Sequence, residues 1–196
     1  MSQELEIEFK NLLTKNEYMH LRALFQPKGQ KMIVQVNHYF DTPLFHLKKN
    51  NSALRIREIN GQYQLTLKQP VEEGVLETHQ LIDPVTAQNM MNGGGLVSGE
   101  IHDLLLLLDI PAQKIIHFGS LETHRIETPY ENGLLVLDQS SYLNHEDFEL
   151  EYEVSNREEG EYSFMKLLST YEIPLRETDS KIKRFYKEKI RQAQLK

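Results

Sequence analysis

The strongest constraint in this sequence is a two-residue alternation that sorts charge by segment. At the start of the chain, Glu4, Glu6, Glu8 and Lys10 fall on one face of an extended segment, and Leu5, Ile7 and Phe9 fall on the other. Near the other end, Glu149, Glu151 and Glu153 oppose Leu150, Tyr152 and Val154. Between them the spaced charges change sign. Arg55 and Arg57 oppose Leu54 and Ile56, Thr66 and Lys68 oppose Leu65 and Leu67, and Arg125 shares a face with Thr123 and Glu127. Like charges two residues apart repel, and folding alone does not require them. Solvation of an exposed sheet face explains any one of these segments taken singly, but it does not explain acids gathered at both ends of the chain and bases in the middle.

Eight segments alternate in this way and read as strands, over about 3–10, 33–42, 53–59, 62–69, 75–82, 115–128, 134–143 and 147–155. Asn60-Gly61, Glu73-Gly74 and Asn132-Gly133 mark tight links, which favour antiparallel neighbours. Helical spacing is read at 14–25, 84–91, 98–109, 159–171 and 180–192, with Pro84 suited to a first turn and Ser98 suited to a cap. The extreme C-terminus, Gln192–Lys196, is expected to fray. Many strands with interspersed helices define an α+β chain built on an antiparallel sheet or barrel. Closure into a barrel would make the first and last strands neighbours. Glu6 and Glu8 would then face Glu149 and Glu151. Such a carboxylate cluster needs a cation, and Mg²⁺ or Mn²⁺ suits oxygen ligands. Arg55, Arg57, Lys68 and Arg125 would form a wall suited to an oligophosphate.

Composition narrows the function classes. The chain has 196 residues and no cysteine, so disulfides, thiolate metal sites and cysteine nucleophiles are excluded. A net charge of -7 argues against a general nucleic-acid binder. Leu104–Leu108, the longest apolar run, is far short of the ~20 residues that cross a bilayer. The charged N-terminus lacks a signal-peptide core, and a cytoplasmic location is expected. No membrane or nucleic-acid partner is expected, and the oligomeric state is not legible.

Several motifs together resemble the CYTH superfamily, also called triphosphate tunnel metalloenzymes. The superfamily takes in CyaB-type adenylate cyclases, thiamine triphosphatases, inorganic triphosphatases and fungal RNA triphosphatases. Its ExExK hallmark matches Glu6-Ile7-Glu8-Phe9-Lys10. Tyr39-Phe40-Asp41-Thr42, Leu54-Arg55-Ile56-Arg57, Leu65-Thr66-Leu67-Lys68, Arg125, Asp138, Glu149-Leu150-Glu151 and Ser180-Lys181 follow in the expected order. The resemblance covers about residues 2–187 and implies one domain over 1–196. It also implies an eight-stranded antiparallel closed β-barrel, a tunnel with a charged interior and helices packed outside.

The resemblance implies metal-dependent hydrolysis of a triphosphate, inorganic or small and organic. Glu6, Glu8, Glu149 and Glu151 would hold metal with Asp138 assisting. Arg55, Arg57, Lys68, Arg125 and Lys181 would bind phosphate. Lys10 is the expected general base, its pKa lowered by surrounding cations, with Tyr39 orienting it. Glu4, Glu77 and Glu153 are possible further participants, with Glu153 placed nearer the rim. A CyaB-type cyclase making cyclic AMP and pyrophosphate from ATP, and a non-catalytic polyphosphate- or nucleotide-binding module, are the competing readings.

Other residues carry plainer expectations. The eight histidines show neither HxH nor HExxH spacing, and His38 and His124 are expected to be packed or superficial. Gly93–Gly95 is a loop, because no Lys-Ser/Thr follows it as in a phosphate-binding loop. Leu104–Leu108 is a docked helix, Lys183 and Arg184 are surface residues, and Asp41 caps a turn before Pro43.

Overall fold

A computed structural model of the chain describes residues 2–194. Eight strands hydrogen-bond in the closed order β1-β5-β4-β3-β2-β6-β7-β8, an antiparallel barrel with helices packed outside it. They are β1 (Ser2–Leu13), β2 (Ile33–Asp41), β3 (Ala53–Ile59), β4 (Gln62–Val71), β5 (Gly74–Ile82), β6 (Ile116–Tyr130), β7 (Gly133–Tyr142) and β8 (His145–Val154). The helices are α1 (Lys15–Phe25), α2 (His46–Lys49), α3 (Pro84–Met91), α4 (Glu100–Leu107), α5 (Arg157–Thr170) and α6 (Lys181–Ala193). The fraying expected at the C-terminus falls partly at 195 and 196, outside the described residues; α6 itself runs on through Ala193.

The chain divides into two compact units. One contains the residues up to Leu5 together with Gln35–Leu121, and the other contains Glu6–Val34 and Glu122–Lys196. In the first, the apolar faces of β2, β3 and β4 present Phe40, Leu54, Ile56, Leu65 and Leu67. These are buried with Leu47 of α2, Ala87 and Met90 of α3, and Ile101 and Leu105 of α4. In the second, Ile126, Leu135, Leu137, Phe148, Leu150 and Tyr152 are buried with Tyr18 and Leu21 of α1 and Phe164, Leu167 and Leu168 of α5. Full burial of one such side chain stabilises by roughly 1.5–3 kcal/mol. Within each unit, therefore, helices consume the apolar strand faces and leave the charged faces for other work.

Local chemistry sets the boundaries. Asn60 and Gly61 both sit at positive φ, 51° and 76°, and turn β3 into β4. Leu143 and Asn144, at 49° and 59°, make the β7–β8 turn that a search for glycine does not reveal. Thr14 and Glu17 form a reciprocal capping box at α1, and Asp83 caps α3 ahead of Pro84. The Ser98 cap is not realised, because Gly99 occupies the cap position and α4 begins at Glu100 without a side-chain cap. The short α2 is not legible in the sequence. Asp41 creates it: Oδ1 accepts from the Thr42 and Leu47 amides at 2.7 and 3.0 Å, and Oδ2 accepts from Lys48 at 3.2 Å. This is the structural role expected of Asp41.

Gly160 of α5 marks a close approach. A Cβ there would lie 2.5 Å from Val154 Cγ2 and 3.0 Å from Phe9 Cε2. In an exposed helix, Gly→Ala stabilises by about 1 kcal/mol. Gly160→Ala should instead lower unfolding stability by about 1–3 kcal/mol through overpacking. A urea titration showing an unchanged or raised midpoint would contradict this packing.

Candidate active site

The second unit holds a buried lattice of opposite charges. Arg125 of β6 lies directly across from Asp138 of β7. Its Nε donates to Oδ1 at 2.9 Å and its Nη2 to Oδ2 at 2.7 Å, and Nη2 also donates to Glu151 Oε2 at 2.7 Å. Lys181, the first residue of α6, places Nζ 2.9 Å from Asp138, 2.7 Å from Glu149 and 2.5 Å from Glu151. One turn later, Arg184 grips Asp147 at 2.8 Å and Glu149 at 2.7 Å. Asp138 and Glu149 are 0% exposed. Burial pushes the Glu151 carboxyl up, but Lys181, Arg125 and Lys10 together hold it well below the ordinary carboxylate range. Burial likewise opposes the charge on Lys181, and Asp138, Glu149 and Glu151 hold that amine well above its ordinary value.

A strap ahead of α6 fixes this lattice to β1. Arg176 N donates to Asn11 Oδ1 at 2.6 Å, Asn11 Nδ2 donates to Pro174 O at 3.1 Å, and Leu12 N donates to Thr178 Oγ1 at 2.9 Å. Asn11 is wholly buried. Arg176 then forks onto Glu17 at 2.8 and 2.9 Å. These bonds set where Lys181 enters.

The β1–β8 register changes the expected pairing of acids. Glu8 lies opposite Glu153, Lys10 opposite Glu151 and Leu12 opposite Glu149. Glu6 and Glu8 therefore do not face Glu149 and Glu151, and Glu153, which stands beside Glu8, is the most exposed of the three acids, as expected. Burial, together with Glu151, Glu6 and Glu8, pushes the Glu153 carboxyl up to about 7, with Arg125 opposing. Lys10 Nζ pairs with Glu8. Burial pulls its pKa down, yet Glu8, Glu151 and Glu149 outweigh that and the amine is raised. The cationic surroundings expected to make Lys10 a base are carboxylates instead.

In the first unit, Arg55, Thr66 and His79 stand in register across β3, β4 and β5, with Tyr39 of β2 opposite Arg55. Glu77, buried on β5, gathers Lys68, Arg55 Nη2 at 3.6 Å and His79 Nε2 at 3.5 Å. Arg57 Nε donates to Asn37 Oδ1 at 3.3 Å. Arg55 Nε is buried without a hydrogen-bond partner among the described residues, a donor still available to an anion. Glu4 is exposed, 4.0 Å from His79.

Thus Arg125, Lys181, Asp138, Glu149 and Glu151 come together, as do Lys10, Glu8 and Glu153, and separately Arg55, Lys68 and Glu77. Arg184 and Asp147 are functional candidates that sequence reasoning misses. The surface position expected of Arg184 is not found, since its guanidinium is held by two carboxylates. A signal for both existed: Asp147 extends the alternation of Glu149, Glu151 and Glu153 by one step, and Arg184 sits one turn after Lys181. Lys183 is exposed, as expected, and pairs with Asp179.

Among the described residues, no three His, Asp or Glu side chains converge as a closed metal cage. The donor chemistry still fits a hard divalent cation. Glu6, Glu8 and Glu153 offer only oxygens, and burial first, then the carboxylates of Glu151, Glu6 and Glu8, push Glu153 up to about 7 against the pull of Arg125. Asp138, Glu149 and Glu151 are occupied by Lys181, Arg125 and Arg184.

The fold and these clusters together define a charged antiparallel barrel of the CYTH class. Residues 4–186 match the CYTH domain family, and the chain belongs to that family. It is 49% identical over 189 residues to the Bacillus subtilis protein named "Putative triphosphatase YjbK", covering 96% of this chain and 98% of that one. A Bacillus halodurans crystal structure described as a putative adenylate cyclase is 42% identical, with a TM-score of 0.90, covering 95% of this chain and 100% of that one. The Hippeastrum protein HpAC1, described as a putative adenylyl cyclase with a dominant triphosphatase activity, is 26% identical with a TM-score of 0.75, over 93% and 96% of the two chains. No helix among the described residues is long and apolar enough to cross a membrane.

The pH dependence of Glu153 can be read from stability. Folded and metal-free, it keeps its proton up to about 7, whereas unfolded it loses it near 4.5. Its contribution to stability is therefore present at low pH and is lost as pH rises towards about 7. Glu153→Gln should raise the thermal midpoint in EDTA at pH 8 and leave it unchanged at pH 4.5. Equal midpoints of variant and parent at pH 8 would refute the assignment.

Proposed function

We propose that this chain is a divalent-metal-dependent triphosphatase that acts on inorganic triphosphate or a small organic triphosphate. The observation that carries the reading is buried charge of both signs on strand faces, including the Arg55 Nε with no partner among the described residues. Packing does not explain such groups, since burying them costs several kcal/mol per ion unless each is compensated. A substrate carrying several negative charges, together with a cation, supplies that compensation. The two Bacillus relatives and the Hippeastrum protein carry names from the same chemistry, the cleavage of triphosphates.

The roles divide by charge. Arg55 and Arg57 would grip phosphate oxygens bidentately, with Lys68 as a point charge. Arg125 and Lys181 would also bind phosphate oxygens, exchanging part of their carboxylate partners for them. Glu6, Glu8 and Glu153 would hold the metal, with Glu149 and Glu151 joining wherever Lys181 turns to substrate. Bound Mg²⁺ or Mn²⁺ would neutralise phosphate oxygens and make water a better nucleophile at neutral pH. Lys10, held protonated by Glu8, Glu151 and Glu149, acts here as a cation that stabilises the charge growing on the leaving phosphate. Tyr39, buried across from Arg55, would orient the arginine fork. Water attacks the terminal phosphorus, the bridging P–O bond breaks, and tripolyphosphate becomes orthophosphate and pyrophosphate.

The deciding measurement is product identity with tripolyphosphate, thiamine triphosphate, ATP and GTP, each with Mg²⁺ and with Mn²⁺. Metal-dependent release of orthophosphate is expected. Cyclic AMP and pyrophosphate from ATP would establish the cyclase instead, and stoichiometric binding without turnover would establish a binding module. Lys10→Ala should lose about 10²–10³-fold in kcat, the magnitude of a lost electrostatic contact in a transition state, while still binding tripolyphosphate. Unchanged turnover would remove Lys10 from the reaction.

A further inference from the structure

The first unit carries a second polar cluster on the face of β2 opposite Asn37 and Tyr39. His38 of β2 places Nδ1 2.8 Å from Ser120 Oγ of β6. His117, three residues before that serine, places Nε2 3.1 Å from the same oxygen. Two imidazole nitrogens from two strands thus converge on one small hydroxyl. The other nitrogen of His38, Nε2, lies 3.6 Å from Glu58 Oε2 of β3. Burial lowers the His38 pKa, with Glu58 opposing, so the ring is neutral near pH 7. The separation of Nε2 from Glu58 is beyond hydrogen-bond distance, and Nε2 is buried with no hydrogen-bond partner among the described residues, while Nδ1 is directed at Ser120 Oγ.

A neutral ring with its back nitrogen beside a carboxylate and its front nitrogen at the point of convergence resembles the arrangement that orients a metal-binding histidine. The two ring centroids are 5.8 Å apart at an interplanar angle of 63°. Two imidazoles bound to one ion at about 2.0–2.1 Å can span such a separation. The serine hydroxyl between them turns about a single bond, so rotation of Ser120 clears the point of convergence. Phe40 packs its ring 5.5 Å from His117 and limits where that imidazole can swing.

We propose that His38 Nδ1 and His117 Nε2 form a binding site for a borderline transition cation of the Zn²⁺, Ni²⁺ or Cu²⁺ class, with Glu58 holding His38 in place and water completing the coordination. Its chemistry is opposite to that of Glu6, Glu8 and Glu153. Nitrogen ligands select Zn²⁺, Ni²⁺ and Cu²⁺, whereas all-carboxylate sites suit Mg²⁺ and Mn²⁺. The two sites therefore sort metals by hardness, and this one does not depend on triphosphate hydrolysis.

The test is a Zn²⁺ titration of the whole chain in saturating Mg²⁺, which keeps the carboxylates occupied. The parent should bind one equivalent of Zn²⁺. His38→Gln and His117→Gln should each lose it, and Glu58→Gln should weaken it by about 10–100-fold. The imidazole ¹⁵N spectrum of the unsubstituted chain needs no variant to fold. Of its eight histidines, only His38 and His117 should shift on adding Zn²⁺. Retained binding in His117→Gln, displacement of Zn²⁺ by Mg²⁺, or shifts confined to other histidines would each overturn the proposal.

Discussion

The salt-bridge lattice at the start of α6 governs what the second unit can be. Asp138, Glu149 and Glu151 are buried on adjacent strands, and no arrangement of those strands makes three neighbouring carboxylates stable without cations. Arg125 arrives on the neighbouring strand, but Lys181 and Arg184 arrive from the far end of the chain. Removing one partner of a buried pair costs about 3–5 kcal/mol, so the C-terminal helix completes the charge balance of the sheet and is more than decoration on its wall. The strap that joins Arg176 to Asn11 and Thr178 to Leu12 explains how that helix is delivered to its position.

The same lattice explains why the site can be both pre-organised and responsive. Every cation in it is held by at least two carboxylate oxygens, with geometry fixed by strand register. An anion entering there meets guanidinium and ammonium groups already desolvated, where electrostatic interactions are stronger than in water. It must also compete with the internal carboxylates, which sets a threshold. A singly charged anion would gain less by displacing them than a chain of phosphates making several bonds at once, and under the proposed function that competition would favour an oligophosphate.

Strand identity was legible because both faces of the strands carry information. The apolar face keeps the period, and the charged face keeps the sign. The seven-residue run around Arg55 and Arg57 shows this, with Ala53–Ile59 found as read. Register was not legible. Shifting β1 against β8 by two residues preserves every face assignment and still exchanges Glu151 for Glu153 as the acid beside Glu8. Alternation constrains which face a residue takes, but not how far along the partner strand it sits. Arg184 was illegible for a related reason. A helix that is basic on several sides reads as solvated, and only the position of Asp147 and Glu149 beneath it shows which base is buried.

The reversal at Lys10 follows from the acids that stand beside it. With the observed register, Glu151 is its direct cross-strand neighbour and Glu8 its ion-pair partner, so its charge is reinforced. A protonated Lys10 cannot take a proton from water, but it can meet the negative charge that develops as a P–O bond breaks. Under the proposed function, that places Lys10 on the leaving group's side of the reaction and not on the nucleophile's.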